Sequence, residues 1–171
     1  MAFTFSWRRV VAAAALSMGI SAGAHASDIH TVGTVSGWDI IIDQSLGFGC
    51  AMQSEFEGGA LVRMGFNKQD GHGYIIVLSE DWSDIQVGQH YDIGMDLDGR
   101  QYTGNAEGFE LSGMPGVYIP FDNSEFFVSI MKKHTLQLKH QGRSAIAISL
   151  AGTYNALEAT MSCQEGVEQA R

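Results

Sequence analysis

Basic residues, cysteines and prolines are scarce in this chain of 171 residues. Lys and Arg together number 10 against 19 Asp and Glu, which gives a formal net charge of -9. Proteins that bind nucleic acids neutralise phosphates with clustered Lys and Arg, so this balance excludes a nucleic-acid partner. Two cysteines exclude a zinc site made of thiolates and a framework of several disulfides, and two prolines exclude a proline-rich linker.

The motifs of common catalytic and cofactor sites are also missing. Residues 27–171 contain no Gly-x-Ser-x-Gly nucleophile elbow, no His-Glu-x-x-His zinc motif, no phosphate-binding loop and no dinucleotide-binding Gly-x-Gly-x-x-Gly motif. We therefore predict no cofactor and assign no catalytic residue. Triads assembled from distant residues leave no such motif, so these absences disfavour an enzyme without excluding one.

The first 26 residues have the features of a secretory signal peptide. Arg8 and Arg9 precede an apolar stretch over residues 10–20, and Ala24 and Ala26 are the small residues that signal peptidase requires. We predict Sec-type export, cleavage after Ala26 and one mature globular domain over residues 27–171, placed in the periplasm or secreted. The apolar stretch is about half of the ~20 residues that span a bilayer, so we expect no stable membrane insertion.

Export decides how the two cysteines are interpreted. In an oxidising compartment two lone cysteines usually pair, and the sequence contains no Cys-x-x-Cys redox motif. We therefore predict a disulfide between Cys50 and Cys163. The chain-entropy model values a loop of this length at ~4–5 kcal/mol, and the bond would tie the start of the domain to its end.

Most of the mature chain has the pattern of short β-strands. Apolar or alternating segments cover residues 38–43, 48–56, 60–66, 74–78, 91–97 and 101–103, and tight turns suited to Gly separate them. The continuous apolar run over 74–78 predicts a central buried strand. A final hairpin is predicted over 135–139 and 144–150. These segments predict an antiparallel sheet or sandwich in which consecutive strands are neighbours.

Two helices complete the predicted α+β fold. A short helix near 124–133 begins at the capping residues Asn123 and Ser124 and has an apolar face of Phe126, Phe127, Ile130 and Met131. A C-terminal helix near 154–164 follows Thr153, which we expect to act as its N-cap. Its predicted inward residues are Ala156, Leu157, Met161 and Cys163.

Asp96 and Asp98 form a pair of carboxylates that could carry chemistry. Asp96-x-Asp98-Gly99 is similar to part of a calcium loop, but an EF-hand register would place Gly94 first and Asn105 last, where carboxylates belong. We therefore predict no metal site and interpret the segment as a hairpin turn. In a cleft, the same two acids could serve a periplasmic hydrolase as acid and base.

Charge is distributed unevenly along the chain. Residues 80–125 are acidic with Arg100 as their one base, whereas residues 126–156 contain no acid and include Lys132, Lys133, Lys139 and Arg143. If the two segments lie on different faces, the acidic face would attract a cationic protein or peptide. If they are adjacent, they neutralise each other.

Residues 107–121 have the composition of a loop, because they are rich in Gly and include Pro115 and Pro120. Such a loop would either pack over the β core or form an adaptable binding lip. The lip would bind a basic, partly apolar surface through Trp82, Glu107, Phe109, Glu110 and Tyr118.

Residues 150–157 read Leu-Ala-Gly-Thr-Tyr-Asn-Ala-Leu, follow an alternating strand and precede Cys163. This segment resembles the C-terminal Leu-x-Gly-x-x-x-Ala-Leu segment of exported alphaproteobacterial proteins of the invasion-associated locus B type. The leader, the mature size and Trp38 near the start of the fold are compatible with that family. The resemblance implies a β-sandwich-like domain and a periplasmic or surface role, and it supplies no site residues.

The sequence thus predicts an exported, non-catalytic binding protein of the periplasm or envelope whose ligand and oligomeric state it does not specify. Two alternatives stay open, namely a periplasmic hydrolase that uses carboxylates and an acidic inhibitor of a basic enzyme.

Overall fold

The computed structural model describes residues 29–122, 124–140 and 146–170. The predicted signal peptide over 1–26 and the turn of the last predicted hairpin lie outside these residues. The strands are β1 (Ile29–Val35), β2 (Trp38–Asp43), β3 (Gly49–Phe56), β4 (Ala60–Phe66), β5 (Gly73–Leu78), β6 (His90–Leu97), β7 (Arg100–Leu111), β8 (Met114–Phe121), β9 (Thr135–His140) and β10 (Ile146–Ser149). The helices are α1 (Ser124–Lys132) and α2 (Thr153–Gln169).

The strands form one antiparallel sheet in the order β1-β2-β3-β4-β5-β8-β7-β6-β9-β10. This confirms the α+β prediction with two helices, and it adds β1, which the sequence patterns did not indicate. The first five strands are neighbours in chain order, as predicted. The next three strands lie in the sheet in the reverse of their chain order, as β8-β7-β6, because β8 pairs with β5 and β6 pairs with β9. The prediction that consecutive strands are neighbours is therefore wrong at the passages from β5 to β6 and from β8 to β9.

The connection from β5 to β6 crosses the ends of β8 and β7. Ser79 N–H donates to the carbonyl oxygen of Pro115 at 3.0 Å, and Gly88 N–H donates to the carbonyl oxygen of Gly108 at 2.9 Å. A Cβ atom at Gly108 would clash with the carbonyl oxygen of Gln86. Glycine is needed here because two backbones approach closely, not because a loop must bend.

One face of the sheet and both helices enclose the main core. The buried cluster includes side chains of β2 to β10, α1 and α2. The ends of the sheet approach each other, since Trp38 Nε1 donates to the carbonyl oxygen of Ala151 at 3.4 Å and Asn155 Nδ2 donates to Ser36 Oγ at 3.2 Å. The sheet is therefore curved around one core, as the twist of strands favours.

The helices differ from the predictions at their ends. α1 stops at Lys132, and its residues Phe126, Phe127 and Ile130 are buried as predicted. Gly152 is the N-cap of α2 with φ 79°, and Thr153 lies inside the helix, where its hydroxyl donates to the carbonyl oxygen of Leu150 at 2.7 Å.

α2 also runs to Gln169 instead of ending near 164. Its buried face consists of Thr153, Ala156, Leu157, Thr160 and Gln164. Met161 is 37% exposed, so its predicted inward position is wrong. Because the helix has 3.6 residues per turn, Met161 lies next to Leu157 on the helix surface, just outside the edge of the buried face.

The predicted disulfide is present and fastens α2 to β3. The sulfur atoms of Cys50 and Cys163 are bonded, with a Cα–Cα distance of 6.0 Å. Beside the bond, the buried backbone N–H of Cys50 donates to Gln164 Oε1 at 2.8 Å. Further along the helix, Lys68 Nζ donates to Glu168 Oε1 at 2.5 Å. These contacts hold the end of α2, which explains why it extends beyond the predicted residue.

The opposite, outer face of the sheet has a smaller cluster that includes Ile41, Tyr74 and Ile76. Arg63 lies on this face with Nη1 2.6 Å from Asp43 Oδ2, and the two side chains are 2% and 4% exposed. Arg63 also donates to Gln53 Oε1 at 3.0 Å, while Asp43 Oδ1 accepts from Ser45 N–H at 2.9 Å. Further hydrogen bonds thus complete this ion pair, which burial would otherwise make costly.

Removal of the disulfide should weaken the fold. In the double variant Cys50→Ala/Cys163→Ala, we expect the free energy of unfolding to fall by about 2–5 kcal/mol, because the unfolded chain regains the entropy of an open loop. Urea unfolding followed by circular dichroism measures the change.

The matched control is Met161→Ala, an exposed substitution on the same helix. This variant is compared with wild type while the disulfide is intact in both proteins. An unchanged free energy of unfolding in the cysteine double variant would contradict the prediction.

Candidate binding groove

A concave pocket of about 410 Å³ lies over β6, β7 and β8 and the loop before β5. We call it the acidic pocket, because three carboxylates line it and its lining contains neither Lys nor Arg. The carboxylates belong to Asp70, Glu107 and Asp122. His72, His90, Asn105 and Tyr118 supply the other polar or aromatic groups of its wall.

Strand register brings three of these residues into one row. His90 on β6 is opposite Glu107 on β7, and Glu107 is opposite Tyr118 on β8. The next strand residues, Tyr91, Ala106 and Val117, alternate to the other face, where Ala106 and Val117 belong to the core. The row is therefore a consequence of pairing between strands that are distant in sequence.

Asn67 fixes the loop on the other side of the pocket. Its Nδ2 donates to Asp70 Oδ2 at 3.0 Å and to the Tyr118 hydroxyl at 3.2 Å. Its Oδ1 accepts from the Gln69 N–H at 2.9 Å. Because Asn67 is nearly buried, these hydrogen bonds hold Asp70 beside Tyr118.

The pocket has an electrostatic preference for cations. Burial raises the pKa of Tyr118, the hydrogen bond from Asn67 opposes this rise, and the negative charges of Asp70 and Glu107 add to it. Tyr118 is therefore a neutral phenol, and the carboxylates supply the net charge. Asp122 contacts the His72 ring at the mouth of the pocket.

A second concavity of about 380 Å³ adjoins the first and is mainly apolar. We call it the apolar cavity. It shares Phe121 and Asp122 with the acidic pocket, and its other walls include Phe66, Phe127, Val128 and Met161. The Phe127 ring centroid lies 5.3 Å from that of Phe66 and 5.7 Å from that of Phe121. Gly73 makes room for the Phe121 ring, which a Cβ atom would meet.

The fold is similar to that of invasion associated protein B from Bartonella henselae. The TM-score is 0.56 at 15% sequence identity, over 78% of this chain and 97% of that chain. The two proteins share a fold. This agrees with the resemblance at residues 150–157, although no protein-family model and no curated protein sequence matches the chain.

The predicted lip residues do not lie on a loop. Residues 107–121 form the end of β7, a tight turn and β8, so the loop prediction is wrong. Gly116 is in contact with the β5 backbone, where a Cβ atom would clash with the carbonyl oxygen of Val77. The glycines of this segment thus permit close strand packing, a use that composition alone does not distinguish from loop flexibility.

The five lip residues occupy four different places. Glu107 and Tyr118 line the acidic pocket. Phe109 packs near Tyr118 on the outer face, with ring centroids 6.4 Å apart. Glu110 is exposed outside the pocket, and Trp82 is 3% exposed within the main core. The structure therefore brings together two of the five and removes Trp82 from the surface.

Sequence reasoning did not identify the remaining pocket residues as a site. Asp70 lies in the turn before β5 and Asp122 directly after β8, 52 positions apart in sequence, and they meet only because β8 is beside β5. Asp70 lies in the tight turn predicted between residues 60–66 and 74–78, and that pattern does not indicate its partner. Phe127 and Val128 belong to the predicted short helix. No local pattern indicates which side of that helix faces a cavity.

Asp96 and Asp98 stabilise the hairpin between β6 and β7. Asp96 Oδ1 accepts from Gly99 N–H at 2.6 Å, and Asp98 has a φ of 48°, as a tight hairpin turn requires. The Asp98 carboxylate accepts from the backbone N–H groups of His134 and Thr135, each at 2.9 Å. The hydrogen bond from His134 N–H is the main cause of a lowered pKa at Asp98. Neither acid lines the acidic pocket.

The acidic and basic segments of the sequence are adjacent in the fold. Lys139 on β9 is opposite Gly94 on β6, between the register positions of Asp92 and Asp96. The charge of Lys133 also contributes to the lowered pKa of Asp98. This part of the acidic segment is thus partly neutralised, and the acidic pocket keeps its negative charge.

Metal-binding clusters and membrane-spanning helices are both absent from residues 29–122, 124–140 and 146–170. No group of three or more His, Cys, Asp or Glu is placed to hold a metal ion. No helix in this part of the chain is both long and apolar enough to cross a bilayer.

The Asp98 hydrogen bonds predict a pH-dependent contribution to stability. Because the pKa of Asp98 is lowered in the folded protein, its stabilising effect should be complete above the ordinary Asp pKa of about 3.9 and should disappear as the pH falls through the lower folded value. Asp98→Asn should therefore lower the unfolding temperature at pH 7, and the difference from wild type should shrink below pH 4.

Asn accepts the positive φ of this position, so the variant isolates the loss of the carboxylate. The control is Glu57→Gln at another hairpin, which should behave as wild type throughout. If the unfolding temperature of Asp98→Asn differs from that of wild type by a constant amount from pH 7 to pH 2, the stabilising effect does not come from the Asp98 carboxylate.

Proposed function

We propose that the protein is an exported, non-catalytic binding protein of the periplasm or cell envelope. The observation that carries binding is the pair of adjoining concavities, one with three carboxylates and one with aromatic walls. The disulfide supports export, because such bonds persist in oxidising compartments. The shared fold adds support, since the structural neighbour from Bartonella henselae is an invasion associated protein.

The partner we propose is a cationic protein or peptide. Asp70, Glu107 and Asp122 supply negative charge without an opposing Lys or Arg in the pocket lining. An acidic concavity attracts cationic partners and speeds their encounter at low ionic strength. The same surface would suit an acidic inhibitor of a basic enzyme, which makes inhibition a special case of this binding.

A hydrolase based on Asp96 and Asp98 has less support. Both carboxylates accept hydrogen bonds from backbone N–H groups of the turn or of β9, so they stabilise local structure. They also lie outside the two concavities.

Export predicts a defined mature N-terminus. When the full chain is expressed in a bacterium with general secretion, we expect the periplasmic fraction to contain a product that begins at Ser27, measured by intact mass without reduction. The control variant Ala24→Lys/Ala26→Lys should retain the leader, because signal peptidase requires small residues there. A wild-type product that keeps its leader in the cytosol would overturn the export proposal.

Binding in the acidic pocket should depend on salt and on Glu107. We expect acetyl-Ala-Ala-Lys-Lys-amide to bind the mature protein, with an affinity that falls as ionic strength rises from 20 to 300 mM. Titration calorimetry measures this affinity. Glu107→Gln should weaken binding by about 2–5-fold, as expected for one exposed charge pair.

Glu110→Gln is the matched control, because Glu110 is an exposed glutamate on the same strand and lies outside the pocket. Equal losses in the two variants, or no binding of the lysine peptide at low salt, would contradict the proposed function.

A further inference from the structure

The apolar cavity has an open side formed by two helices. Val128 on α1 is 43% exposed and Met161 on α2 is 37% exposed, and both line this one cavity. Its floor is aromatic, since Phe66, Phe121 and Phe127 pack against one another there. Exposed apolar residues that converge on one concavity mark an interaction site more strongly than the same residues scattered over a surface.

Two glycines, Gly71 and Gly73, are among the lining residues of the apolar cavity. Gly71 has a φ of 78°, and a Cβ atom built there would meet nothing within 4 Å. Gly73 has no side chain beside the Phe121 ring. Gly71 therefore borders open space, whereas the Phe121 ring fills the space beside Gly73.

The shared wall specifies the charge of what enters. Asp122 belongs to both concavities, and its side chain is 77% exposed. Asp70 and Glu107 line the acidic pocket alone, so Asp122 is the carboxylate that both concavities share. Negative charge on this side complements Lys or Arg next to the apolar side chain.

We infer that the groove recognises an extended peptide segment with two determinants, an aromatic or large aliphatic side chain in the apolar cavity and a Lys or Arg in the acidic pocket. This inference rests on the proposed function and specifies its partner. Met161 suits such a site, because a flexible thioether adapts to aliphatic and aromatic side chains alike.

The size of the concavities sets the spacing of the two determinants. Each volume corresponds to a width of roughly 9 Å, and an extended chain advances ~3.3 Å per residue, so the determinants should be about two or three positions apart.

Three peptides separate the two determinants when they are titrated into the mature protein. Acetyl-Phe-Ala-Lys-Lys-amide should bind about tenfold more tightly than acetyl-Ala-Ala-Lys-Lys-amide, since partial burial of a Phe side chain is worth about a factor of ten in affinity. Acetyl-Phe-Ala-Gln-Gln-amide should bind more weakly than the Phe-Lys peptide, because it lacks the cation.

The double variant Val128→Thr/Met161→Gln makes the cavity polar with little change in shape or helix propensity. It should abolish the advantage of the Phe-Lys peptide over the Ala-Lys peptide and leave binding of the Ala-Lys peptide unchanged. Val87→Thr, at a 67% exposed position outside the cavity, is the matched control and should retain that advantage. Circular dichroism verifies that each variant is folded.

The outcomes distinguish this inference from the proposed function. If neither lysine peptide binds at low salt, the proposed function fails. If both bind equally to wild type, or if the cavity variant keeps the advantage of Phe, the proposed function stands and the two-determinant inference is wrong.

Discussion

The attachment of α2 to β3 is the interaction on which the rest of the structure depends. The Cys50–Cys163 bond and the hydrogen bond from Cys50 N–H to Gln164 fasten the helix over the open side of the curved sheet. Ala156 and Leu157 then complete the main core. The same attachment turns Met161 away from the core and into the wall of the apolar cavity. One constraint therefore closes the core and shapes part of the binding groove.

The order of the strands has the second largest effect, because it creates the acidic pocket. With β8 beside β5, the loop that contains Asn67 and Asp70 meets Tyr118 across 51 positions of sequence. Simple consecutive pairing would have placed β6 next to β5 and separated these groups. The cost of the reversal is a connection that crosses the ends of β7 and β8, which only a glycine at position 108 allows.

Local patterns predicted the elements well and their arrangement less well. The hairpin at Asp98, the short helix, the C-terminal helix and the disulfide are all present, because each follows from turn chemistry, periodicity or redox environment. The loop predicted over 107–121 is wrong, because Gly116 and Pro120 lie within the interior strand β8. Interior strands usually disfavour both residue types. Of the site, only Glu107 and Tyr118 were among the predicted residues, and Trp82 belongs to the core.

The sequence by itself determined most of the strands, the two helices, the cysteine pair and the excess of negative charge, because these depend on composition and on residues near one another in the chain. Only the tertiary structure decided which strands are neighbours and which side chains meet. Asp70, Glu107 and Asp122 surround one pocket, and Lys139 instead offsets the charge of the β6 hairpin. Such meetings depend on long-range pairing and sheet curvature, which no local pattern encodes.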